Sequence, residues 1–236
     1  MSPTLSIENV TKRYGALTAV DSVDIRFESD RKYGLIGPNG AGKTTLFDLI
    51  SGVQRPDEGE VVYDGTPITT VPAHEITERG LARTFQEGDV FDDMTVIENL
   101  LAAWPGRLEE GVRTGDGLLE QFEMAHTRDQ PAGDLSGGQK KVIGLVRTLM
   151  TRPEFVLLDE VLAGVNPTLQ QTVLDDLDDM HESGTTFVMI EHDINAIMEF
   201  TDYVFALSEG QLIAEGTPEE VRNDETVLAS YLGETA

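Results

Sequence analysis

Eight residues, Gly37 to Thr44, read GPNGAGKT and combine glycines, a lysine and a threonine at the spacing of a phosphate-binding loop. Glycines at 37, 40 and 42 let successive backbone N–H groups wrap a phosphate chain, and Lys43 reaches its outer phosphates. The Thr44 hydroxyl suits a magnesium ion, and Asn39 and Thr45 are assigned to the same nucleotide site. A second group, FVLLDE at Phe155 to Glu160, is an apolar run ending in two carboxylates. In an open parallel sheet, ligands bind at the carboxyl edge of the strands. Asp159 there suits magnesium, directly or through water, and Glu160 can take a proton from an attacking water. The chemistry implied is hydrolysis of a nucleoside triphosphate.

That chemistry needs a strand before the glycine loop and a helix after it. KYGLIG reads as the strand and TTLFDLISGV, with its apolar period, as the helix, whose positive end would face the phosphates. LSIENV and AVDSVDIRF read as earlier strands and EGEVVYD as a later one, followed by a helix around Pro72 to Arg79. Residues 95–150 read as helical, with a Gly-, Asp- and Pro-rich break from Gly111 to Gly133 taken as loops around short helices. EFVLLDE, TTFVMIEHD and DYVFALSEG then alternate with helical stretches, the pattern of a parallel sheet covered on both faces.

A third motif narrows the class. Leu135 to Gln139 reads LSGGQ, at the start of the helical run KKVIGLVRTLM and about 20 residues before Asp159 and Glu160. As isolated letters it reads as a helix start capped by Ser136. Beside the other two motifs, the chain resembles the ABC ATPase family, whose signature is this pentapeptide in this order and spacing. The resemblance covers essentially the whole chain. It implies an α/β P-loop NTPase core with a mostly parallel sheet, an N-terminal antiparallel β subdomain and an inserted α-helical subdomain. Residues 1–94 and 151–236 would form the β subdomain and nucleotide-binding core, and 95–150 the helical subdomain with the signature.

The same resemblance implies roles at matching positions. Tyr14, in KRYGALTAV, would stack on adenine. Gln86, in ARTFQEGDVF, would touch magnesium and the attacking water, and its loop would face membrane subunits. His192, in VMIEHD, would contact the γ-phosphate. Ser136, Gly137, Gly138 and Gln139 would close on a nucleotide held by a second cassette, and Asn166 lies in the loop that crosses to it. The ligands implied are ATP and Mg2+. The partners implied are transmembrane permease subunits, a second identical or homologous cassette in a head-to-tail dimer and, indirectly, an extracytoplasmic solute-binding protein.

Several stretches are similar to the ATP-binding subunits of branched-chain amino-acid importers: LIGPNGAGKTTLFDLISG, GLARTFQEGDVFDDMTVIENLLAA, DEVLAGVNP, IEHDINAIMEF and EGTPEEVRNDETVLASYLGE. Val161 stands where that branch usually has proline, and the stretch between Leu101 and Leu135 is shorter than usual there. Urea or short-amide importers and lipopolysaccharide-type exporters share this cassette. A soluble ABC ATPase of translation or DNA repair usually has two fused cassettes or a coiled coil with basic surfaces, none of which this sequence carries.

Composition agrees. The 236 residues hold 43 acids against 17 bases, a formal charge of −26, with lysine only at 12, 32, 43, 140 and 141. Phosphate-backbone binding needs clustered bases, so nucleic acid is not an expected partner. Acids such as Asp175, Asp176, Asp178, Asp179 and Glu182 are expected mostly on the solvated side of one helix. So acidic a surface either serves solubility alone or, the reading favoured by the size of the charge, is adapted to a cytoplasm of molar salt, where the Debye length falls to about 3 Å and self-repulsion is screened. Cysteine is absent, which excludes disulfides and thiolate chemistry. No run reaches the roughly 18 apolar residues of a membrane span and MSPTLSIENV lacks signal-peptide features, so the expected place is the cytoplasmic side of the membrane, held there by partners.

Overall fold

Strands β1 (Leu5–Tyr14) and β2 (Leu17–Phe27) run antiparallel about a tight turn, and their alternating apolar residues, Leu5 and Ile7 with Ile25 and Phe27, face inward. The computed structural model describes residues 3–29, 31–84 and 90–232. β3 is Tyr33–Ile36, and β4 (Glu58–Tyr63) with the two-residue β5 (Thr66–Pro67) completes a four-stranded antiparallel sheet in the order β2-β1-β4-β5. β6 (Leu81–Arg83), β7 (Phe155–Asp159), β8 (Thr186–Ile190), β9 (Tyr203–Ser208) and β10 (Gln211–Gly216) join β3 in a second sheet, ordered β10-β9-β3-β8-β7-β6. All of its pairings are parallel except β9 with β10.

Helices α1 (Lys43–Ile50) and α2 (Ala73–Glu78) precede a helical segment of α3 (Val96–Leu101), α4 (Leu108–Gln121) and α5 (Gly137–Leu149). After β7 come α6 (Pro167–Glu182), α7 (Ile194–Phe200), α8 (Pro218–Arg222) and α9 (Glu225–Leu232). β7 and β8 are buried along their whole length because the large sheet is covered on both faces. Leu35, Leu157, Val188 and Phe205 point to one face, onto α1 and the antiparallel sheet. Ile36, Val156, Leu158, Phe187 and Met189 point to the other, onto α5, α6 and α7. The glycine-loop helix α1 and the LSGGQ helix α5 therefore lie on opposite faces of one sheet.

One expectation fails. The break placed from Gly111 to Gly133 is, in its first half, the regular helix α4. Gly111 and Gly115 are its buried contact points. A Cβ on Gly111 would sit 2.7 Å from Trp104 Cδ1, and one on Gly115 would sit 2.9 Å from Ile97 Cδ1. These glycines are present so that α4 can approach α3, and the helical propensity they lose is recovered in packing. Only 122–133 behaves as expected, as loop around two short 3₁₀ turns at Ala125–Thr127 and Ala132–Asp134.

On α6, Asp175, Asp179 and Glu182 are exposed, as expected, and Asp178 meets Lys32 at 2.6 Å. Asp176 differs, because its Oδ2 is buried with no hydrogen-bond partner. Burial, reinforced by the charge of Asp179, pushes its carboxyl up from 3.8 to about 6. The folded chain thus keeps a proton that the unfolded chain releases, so this group's contribution is fully present below pH 3.8 and is lost as pH rises to about 6. Replacing Asp176 by Asn is expected to raise stability at neutral pH by about 1 kcal/mol, a figure reduced for partial exposure. Urea midpoints at neutral pH and near pH 4 check this, since the gain should fade at the lower pH.

Candidate functional site

The glycine loop joins β3 to α1 at the carboxyl edge of the large sheet. Gly42 caps α1 at φ 102, and a Cβ there would lie 2.3 Å from the Ala19 carbonyl oxygen, so no other residue fits. No side chain caps α1, which leaves its first-turn N–H groups to the loop and to an anion held by it. Lys43 Nζ donates to the carbonyls of Gly37 at 2.6 Å and Pro38 at 3.1 Å, folded over the loop it would share with phosphates. Thr44 is exposed at the start of the helix and Thr45 half-buried. Asn39 and Gly40 line a cleft of about 380 Å³ with Ser208, Glu209, Ala229 and Ser230. A larger cleft of about 780 Å³, lined by residues of 74–80, 103–105 and 151–154, holds none of the motif residues.

Two strands away, β7 delivers Asp159 at 1% exposure. Its amide donates to Thr84 Oγ1 at 2.9 Å, and its Oδ2 accepts from Arg83 Nη2 at 2.8 Å. Arg83 extends its other arm to Asp48 Oδ1 of α1 at 2.5 Å, tying the helix after the glycine loop to the end of β7. Burial pushes the Asp159 carboxyl up and Arg83 pulls it down. Oδ1 of Asp159 is buried and has no hydrogen-bond partner. An unused buried carboxylate oxygen, tied through Arg83 to the helix that carries the Thr44 hydroxyl, fits magnesium, which takes one or two protein oxygens and completes its shell from phosphate and water. Among the described residues no group of three or more acidic or histidine side chains could hold a metal. The ion would rest on Asp159 and Thr44.

Glu160 follows with φ 51, in the left-handed region, a strain of order 1–3 kcal/mol that turns the chain out of the strand. Its amide donates to Ile190 O at 2.9 Å and its carbonyl accepts from Lys141 Nζ at 2.8 Å. Its carboxylate Oε1 lies 3.0 Å from His192 Nε2, so the two expected catalytic groups at the ends of β7 and β8 are brought together. His192 is 62% exposed at its side chain, open to an incoming phosphate, while Glu160 is 18% exposed. Gln86 lies outside the described residues.

The LSGGQ segment sits elsewhere. Ser136 caps α5 in a reciprocal box, its Oγ accepting from the Gln139 amide at 3.3 Å and its own amide donating to Gln139 Oε1 at 3.0 Å. The capping role and an anion-facing role are compatible, because Ser136 and Gly137 remain exposed at the helix's positive end. Tyr14 is also apart from the phosphate loop. Its hydroxyl donates to Gln54, beyond the carboxyl end of α1, the residue is 44% exposed, and Lys12 Nζ lies 5.7 Å from its ring centroid. Asn166 caps α6 by accepting from the Leu169 amide at 3.0 Å. Sequence reasoning passed over Arg83, although a cation inside the apolar run LARTF was a signal that it needed buried partners.

The family model described as ABC transporter matches residues 20–163, and that of the branched-chain amino acid ATP-binding cassette transporter matches residues 211–236. The probable branched-chain amino acid transport ATP-binding protein LivG of Archaeoglobus fulgidus is 36% identical over 97% of this chain and 95% of its own. The lipopolysaccharide export system ATP-binding protein LptB of Haemophilus influenzae is also 36% identical, over 98% and 97%. The ADP conformation of MJ1267, an ATP-binding cassette of an ABC transporter, is similar at TM-score 0.90 and 34% identity, over 99% of this chain and 100% of that one. The dimeric structure of MJ0796, a bacterial ABC transporter cassette, is similar at TM-score 0.83 and 25% identity, over 91% and 98%.

Proposed function

Because the chain belongs to the ABC transporter family as an ATP-hydrolysing cassette, we propose that it powers branched-chain amino-acid import through separate transmembrane subunits at the cytoplasmic side of the membrane. An extracytoplasmic solute-binding protein would deliver the solute. The observation that carries the substrate class is the likeness of residues 211–236 to branched-chain cassettes. Its described residues, 211–232, include β10, α8 and α9, and Ala229 and Ser230 line the same cleft as Asn39 and Gly40 of the glycine loop. Among the described residues no helix is long and apolar enough to cross a membrane, which supports attachment through partner subunits.

The working unit is a head-to-tail pair of cassettes. Placement of α1 and α5 on opposite faces of the sheet supports this, because Ser136, Gly137 and Gly138 then serve a nucleotide held by the other chain. The loop N–H groups of 37–45 and Lys43 bind the phosphates, and Tyr14 stacks on adenine. Magnesium at Asp159 and Thr44 neutralises charge on the outer phosphates when bound. Glu160 takes the proton of the attacking water as its oxygen bonds to the γ-phosphorus and the bond to ADP breaks. His192 steadies the Glu160 carboxylate and the γ-phosphate, and Gln86 completes the water's position. The shortened stretch between Leu101 and Leu135 lies on the subdomain that selects the membrane partner.

The test is leucine uptake at molar potassium chloride by membrane vesicles loaded with ATP and carrying the permease subunits with either this chain or its Glu160→Gln form. Uptake is expected only with the parent chain, and to weaken in dilute buffer if the −26 charge is an adaptation to molar salt. No uptake with the parent chain, although it hydrolyses ATP, would assign the cassette to another solute, and the likeness to LptB makes export the next reading to test.

A further inference from the structure

Beyond the end of β7, the ladder between β7 and β8 continues through three consecutive residues of β8 and the turn that follows it. The register pairs Asp159 with Ile190. After it, the Glu160 amide donates to Ile190 O at 2.9 Å, the Leu162 amide donates to Glu191 Oε1 at 2.7 Å, and His192 Nε2 meets Glu160 Oε1 at 3.0 Å. In the middle contact a carboxylate side chain replaces the backbone acceptor. Glu191 is 7% exposed, and burial raises its carboxyl to about 7 against the opposing pull of the Leu162 amide. A carboxyl this deep is unfavourable unless hydrogen-bonded, and Leu162 supplies that bond.

Leu162 is also held from the other side. Its carbonyl accepts from Gln170 Nε2 of α6 at 2.9 Å and from the Val165 amide at 3.1 Å. The turn it begins packs under the first turn of α5, where a Cβ on Gly138 would lie 3.0 Å from both Gly164 O and Val165 Cα. Asn166 then caps α6. The Leu162 peptide is thus the joint between the end of β8, the Glu160 turn and the LSGGQ helix.

We propose that Glu191 is a positioning residue for ATP hydrolysis, whose carboxylate holds the Leu162 amide so that the turn keeps Glu160 aimed beside His192 and keeps Gly164 seated under Gly138. The proposal rests on the reading of Glu160 as the base. Two variants of similar size separate holding from charge: Glu191→Gln keeps an acceptor oxygen, and Glu191→Met removes it. The full-length chain would be assayed for ATP turnover and for hydrogen exchange at the Leu162 amide. The Gln form is expected to keep kcat within about threefold of the parent, and the Met form to lose about tenfold or more, with KM for ATP unchanged in both. Protection of the Leu162 amide should survive in the Gln form and be lost in the Met form. The proposal is overturned if the Gln form falls as far as the Met form, or if the Met form keeps parental kcat. Should the Met form not fold, a freely exchanging Leu162 amide in the parent overturns it equally. Failure of the underlying reading looks different: Glu160→Gln would then turn over ATP at the parental rate while Leu162 stays protected.

Discussion

Glu160→Gln is expected to lower kcat for ATP hydrolysis by roughly 10²- to 10⁴-fold, the usual contribution of a positioned general base. ATP binding should persist, because none of the phosphate-holding groups changes and the new side chain has the same shape. Backbone strain at φ 51 is common to both forms, so the comparison isolates the carboxylate. The amide still meets His192 but cannot accept the water's proton. Single-turnover phosphate release with the full chain measures the loss, and a drop of less than about fivefold would move the base elsewhere.

Arg83→Met is expected to destabilise the fold by about 3–5 kcal/mol, since it removes the cation between two carboxylates and leaves Asp159, at the end of a buried strand, to bear an unpaired charge or take up a proton. Arg83 is 6% exposed at its side chain, Asp159 0% and Asp48 20%, so water cannot take over the role of the guanidinium. Arg83→Lys should recover only part of the loss, because an ammonium is a point charge where the two arms of the fork reach different carboxylates. Adding Asp48→Asn to Arg83→Met should also recover part by removing one uncompensated charge. Urea denaturation of the four proteins checks the set, and a loss below about 1 kcal/mol for Arg83→Met would mean that the network contributes little.

The elements of the candidate site are legible in the sequence where local pattern and place in the fold coincide. GPNGAGKT can hardly be anything but a strand-to-helix phosphate loop, and Phe155 to Leu158 is an unbroken apolar run because both faces of β7 are covered. Ser136 was legible as a cap, which the structure keeps, and its exposure at the start of α5 is compatible with the signature role. Gly111 and Gly115 misled because a glycine that lets two helices touch looks, in one dimension, like a glycine that ends one. β6 and β10 passed unread, the first because Leu81–Arg83 is too short to show a period, the second because it is an edge strand of mixed polarity. Arg83 and Glu191 act through residues 76 positions and 29 positions away, separations at which no pattern in the chain records the contact.

The two-faced sheet carries an implication for genetics. In the proposed pair, each nucleotide lies between one chain's α1 and the other chain's α5, so a defect at Lys43 and a defect at Ser136 in the same chain fall in different sites. Placed in two different chains that then associate, the same defects converge on one site and leave the other intact. With a second copy of this chain as the partner cassette, two individually dead alleles would complement each other; with a homologous cassette as the partner, a defect at Lys43 here would instead converge with a defect in that cassette's signature.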